Sequence, residues 1–127
     1  EATIAAPAPL RERMWAQALA SALDTLADAF EHHVTETEAA DGFLQQVTAD
    51  APRLHPAVKR LREDHADIGV LVADLRTRAR EAAGDKEPSP AQLRAQALDL
   101  LGRLAQHRQS GADLIYEAYL VDIGTGG

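Results

Sequence analysis

Apolar residues recur every three or four positions along three long stretches of the chain. The first stretch places Leu19, Leu23, Leu26, Phe30, His33 and Thr37 on one stripe. The second gives Val58, Leu61, His65, Ile68, Val72, Leu75 and Ala79. The third gives Leu93, Ala97, Leu100, Leu104, His107, Gly111, Leu114 and Ala118. Alternating steps of three and four are the period of a helix that lays one face on a core. Helix breakers divide the same stretches. Pro7 and Pro9 precede residues 10 to about 40, which hold no Gly or Pro, and Asp41-Gly42 closes them. A short segment, 43–47, runs up to Pro52 and then His55-Pro56. Residues 56–83 are interrupted only by Gly69 and end at Gly84. Residues 85–90 form a polar linker in which Ser89-Pro90-Ala91-Gln92 has the form of a capping box with proline at the first helical position. The third stretch then continues to about Tyr119. The pattern predicts an all-α, up-down helical bundle of three long helices plus a short helix. Residues 10–120 make the bundle, 1–9 a flexible N-terminus and 121–127 a C-terminal tail.

Composition narrows what such a bundle does. With 127 residues, 46% of them hydrophobic, there is enough apolar surface for one core. Aromatics are only 4%, and β-branched strand formers are scarce, which favours helix throughout. A formal charge of −7 disfavours nucleic acid, whose phosphates need a basic face, and anionic membrane surfaces alike. The absence of cysteine excludes disulfides, thiolate catalysis and thiolate-bound zinc or iron–sulfur clusters. No apolar run approaches the roughly 20 residues that span a bilayer. Residues 1–9 lack the basic and apolar regions of a signal peptide, so a cytoplasmic location is expected.

Three seam positions are occupied by histidine. His33 lies seven residues before Ala40, His65 nine after Pro56, and His107 twelve before Tyr119. In an up-down-up bundle those reference points share one end, so the three rings fall roughly 10 to 18 Å from it. Three imidazoles in one core layer need hydrogen-bonding partners or a metal to offset their desolvation. Neutral imidazole is a common ligand for iron and zinc, and nearby carboxylates are able to complete such a site. Glu36 lies on the flank of His33. Glu38, five residues on, is about 140° round an ideal helix and needs a long reach. Asp113 and Glu117 follow His107 off the exact seam. His32 reads as a solvated neighbour that also forms an i, i+4 pair with Glu36, and His55 as a helix-entry residue. Trp15 and Met14 fill the far end of the first helix. Gly69 and Gly111 each stand one turn beyond a histidine. Either close helix packing or space beside a bound metal accounts for them.

The blocks His33-Val34-Thr35-Glu36-Thr37-Glu38, Leu61-Arg62-Glu63-Asp64-His65-Ala66-Asp67-Ile68, and residues 107–119 resemble the hemerythrin-like, or HHE cation-binding, family, particularly its small actinobacterial members. The resemblance implies a hemerythrin-like bundle holding non-haem iron, mono- or dinuclear. The implied ligands are His33, His65 and His107, with oxygens from Glu36, Glu38, Asp113 or Glu117, and the implied small ligand is O₂, NO or peroxide. Three departures stand out. The family's usual first helix, with its own histidine, has no obvious counterpart here, since residues 10 to about 40 already carry the block normally found on the second helix. Positions four after His33 and His107 hold Thr37 and Gly111 where acids are expected. Three seam histidines cannot build a full diiron centre, so a mononuclear, a reduced dinuclear and a lost site all fit. A metal-free interaction module with a buried histidine cluster is the competing reading, and an oxygenase- or peroxidase-like enzyme a weaker one. Whether the chain forms a homodimer is left open.

Overall fold

The computed structural model describes residues 8–84 and 89–121. Helix α1 spans Ala8–Glu38, the short α2 spans Phe43–Asp50, and a 3₁₀ turn over Pro52–Leu54 leads into α3, His55–Ala83. Helix α4 spans Pro90–Ile115 and passes into a π-helical segment, Tyr116–Val121. The flexible N-terminus expected over 1–9, the linker at 85–88 and most of the tail at 121–127 lie outside the described residues. Ser89 forms the capping box: its hydroxyl accepts from Gln92 N at 3.3 Å while Gln92 Oε1 accepts from Ser89 N at 3.0 Å. This satisfies two donors that the first turn of any helix leaves orphaned.

The pairing of side chains fixes the direction of each helix. Arg76 and Arg80 of α3 both reach Asp24 of α1, at 2.5 and 2.7 Å, while His65 of α3 reaches Glu38. Numbers rise on one helix as they fall on the other, so α1 and α3 are antiparallel. Arg78 with Gln96 and Asp64 with His107 show the same for α3 and α4. Arg94 stacks over Trp15, and His107 meets His33, so α4 runs parallel to α1. The result is up-down-up. Helix α3 packs extensively on both α1 and α4, which approach one another far less closely.

All seven stripe positions of α3 are buried. The core they join is divided. One cluster gathers Ala16, Ala20 and Leu23 of α1 with Ile68, Val72, Leu75 and Ala79 of α3, and Leu93 and Leu100 of α4. The other gathers Leu44 and Val47 of α2 with Val58, Leu61, Leu114 and Ala118. Between Leu61 and Ile68 on α3, and between Leu100 and Leu114 on α4, stand His65 and His107. The histidine layer is therefore the boundary between two apolar clusters. Helix α2 covers the second cluster, and Arg53 beside it donates to the Glu117 carbonyl at 2.9 Å. The turn that brings α2 into place depends on Gly42. A Cβ there would fall on the carbonyl oxygens of Glu36, Thr37 and Ala39.

Candidate metal centre

Each histidine comes from a different long helix, because each helix offers one seam position at this height. The three rings converge: centroids are 5.1 Å apart for His33 and His65, 5.5 Å for His33 and His107, and 4.8 Å for His65 and His107. One ligating nitrogen from each lies within 4.8 Å of the others. His33 Nε2 and His107 Nε2 are 3.4 Å apart, within a hydrogen bond that needs one of them protonated. His65 is 4% and His107 9% exposed, whereas His33 is exposed, so the cluster is accessible on the α1 side. Phe30, one turn before His33, lies about equally near all three rings, at 6.1, 6.0 and 6.4 Å between centroids.

The two buried rings each have a carboxylate behind them. Glu38 Oε2 accepts from His65 Nδ1 at 2.5 Å, and Asp64 Oδ2 accepts from His107 Nδ1 at 3.0 Å. A carboxylate on Nδ1 leaves Nε2 as the free nitrogen, the arrangement that orients histidine ligands in metal sites, and His107 Nε2 lies toward His33. His33 is held below the ordinary imidazole pKa, first by partial desolvation of its ring against its neighbours and then by the nearness of His65 and His107, with Glu36 pulling the other way. The shift favours the neutral form of the His33 ring.

The other acidic residues marked in the sequence lie elsewhere. Glu36 pairs with His32 at 3.2 Å on the exposed face of α1. Asp113 accepts from Gln109 at 2.8 Å, and both it and Glu117 line an open groove of about 470 Å³ between α3 and α4. Among the described residues, the group of donors close enough to share an ion is His33, His65 and His107. Neither Gly69 nor Gly111 is explained by close packing, since a Cβ at either meets nothing within 4 Å. Gly69 instead borders a groove of about 300 Å³ shared with Phe30, Val34 and His65. Sequence reasoning did not assign Asp64 or Phe30 to the site. The signal for Phe30 was its place on the stripe, one turn from His33; Asp64 carried none beyond adjacency to His65.

Three imidazoles that converge from the three long helices of an up-down-up bundle form a donor set able to hold a metal ion. The hemerythrin HHE cation-binding domain matches residues 2–118, and the chain belongs to that family. No curated protein and no solved structure shows significant similarity to it.

Proposed function

We propose that this chain is a non-haem iron protein that binds or senses O₂, NO or peroxide in a cytoplasmic setting. The observation that carries the reading is the convergence of His33, His65 and His107 within 4.8 Å in a cation-binding family. A donor set of three histidines, one nitrogen from each, suits a single ion. Iron(II) held by three protein ligands supplies open coordination positions for a small molecule. The residues do the rest. His65 and His107 present nitrogens already aimed by Glu38 and Asp64, whose negative charges offset that of a divalent cation. Phe30 forms an apolar wall against the rings, and the exposed edge of His33 gives access to small molecules. Elemental analysis of protein purified without chelator, beside His65→Ala, tests the reading. Iron near one per chain, absent from the variant, supports it. No iron in either, even after anaerobic addition of iron(II), overturns it.

A second reading has one observation in its favour. Among the described residues, every buried side-chain nitrogen and oxygen has a hydrogen-bond partner. A histidine cluster satisfied in this way also suits a helical module that works through protein contacts. Such a module holds no stoichiometric metal, so the same analysis separates the two.

A further inference from the structure

We propose that Asp64 is a positioning residue, which holds His107 in one tautomer so that its Nε2 lone pair faces the histidine cluster. The inference rests on the metal-site reading above and names a residue that supports the site without entering it. An ionised carboxylate only accepts hydrogen bonds. Asp64 Oδ2 lies 3.0 Å from His107 Nδ1, so Nδ1 carries the proton and Nε2 in the neutral ring does not. That assignment also orders the contact at the centre. With His107 Nε2 as acceptor at 3.4 Å, the hydrogen between the two rings belongs to His33 Nε2.

The placement follows from helix geometry. Asp64 and His65 are consecutive on α3, and consecutive side chains diverge by about 100°. His65 therefore turns into the core while Asp64 turns toward α4. Its side chain is 35% exposed and borders the α3/α4 groove with Arg60, Gln106 and Ser110. One carboxylate oxygen is thus committed to His107 while the group keeps access to water, which lowers the cost of holding a charge beside the core. A single turn of α3 supplies one ring of the cluster and aims the ring from the next helix.

The test compares wild type, Asp64→Ala and Asp64→Asn. Asparagine keeps an oxygen acceptor for Nδ1–H and loses the charge. Imidazole ¹⁵N shifts of metal-stripped protein above pH 8 report the tautomer directly, and cobalt(II) titration reports affinity. The expected result is an Nδ1–H His107 in wild type and Asp64→Asn, and a redistributed tautomer in Asp64→Ala with unchanged far-ultraviolet circular dichroism. Cobalt(II) affinity then falls about 10- to 100-fold in Asp64→Ala and only a few-fold in Asp64→Asn. An unchanged His107 tautomer in Asp64→Ala overturns the proposal, as does an equal loss of cobalt(II) affinity in both variants. If wild type takes up no cobalt(II) or iron(II), the metal reading fails separately. The tautomer comparison still decides the role of Asp64.

Discussion

Glu38, the last residue of α1, accepts a 2.5 Å hydrogen bond from His65 Nδ1 on α3. The contact ties the C-terminal end of α1 to α3 and commits Nδ1 of His65, which leaves Nε2 as its free nitrogen. Glu38→Ala removes both effects. It is expected to weaken metal binding about 10- to 100-fold and to destabilise the fold by about 1 to 3 kcal/mol, because His65 is left buried without a partner. Cobalt(II) titration and thermal unfolding measure the two. Glu38→Gln, which retains an acceptor oxygen, recovers most of each loss; a Gln variant as metal-poor as His65→Ala would instead make Glu38 a ligand.

Acid should unfold the metal-stripped protein more readily than its carboxylates alone predict. The folded pKa of His33 lies below its ordinary value, so the unfolded chain binds that proton more tightly. Stability is then full above the ordinary imidazole pKa of about 6.5 and declines as pH falls through it toward the lower folded value. Denaturant midpoints between pH 8 and pH 5 should show this decline, and His33→Asn should flatten it. A midpoint whose pH dependence is the same in the variant would refute the assignment to His33.

Gly42→Ala is expected to be destabilising by about 1 to 3 kcal/mol, although its backbone is in an ordinary extended conformation at φ −82°. The cause is space, since the methyl would fall on three carbonyl oxygens at the end of α1. The variant should lose stability and disturb the α2 amide resonances first. A melting temperature equal to wild type would contradict this account.

Gly69→Ala and Gly111→Ala carry the opposite sign. Both positions are inside helices and open around the missing Cβ, so alanine removes backbone freedom from the unfolded chain and adds no clash. Each substitution should stabilise by about 0.5 to 1 kcal/mol. Urea midpoints that fall would restore close packing as the reason for these glycines.

The sequence pattern and the structure agree best on α3, where every stripe position is buried because the helix has neighbours on two sides. On α1 the same pattern located His33 and Phe30 but not Ala16 and Ala20, which are buried against α3. In a helix rich in alanine, small residues facing a close neighbour look like those facing water. Thr37 and Leu26 are only partly buried because α4 approaches α1 less closely than α3 does. The awkward angle of Glu38 relative to His33 was legible, but its partner was not. Glu38 serves the ring of another helix, so its bearing on its own helix had no meaning for the contact. Asp64 was hidden for the same reason. A carboxylate on a charged helix surface acquires a role only when the packing of α3 against α4 sets it opposite His107.

The histidine layer parts the apolar interior into two clusters, and that division bears on how the molecule opens. Contacts within one cluster do not directly reinforce those in the other, so amide exchange in α2 and the adjoining ends of α3 and α4 should proceed without opening of the region around Leu75 and Leu93. An ion that bonds one ring from each long helix is bound only by the closed arrangement, and its free energy of binding is added to closure. The two regions would then exchange as one, with protection set by the concentration of free metal. Metal supply would set the stability of the folded chain as well as the occupancy of its site.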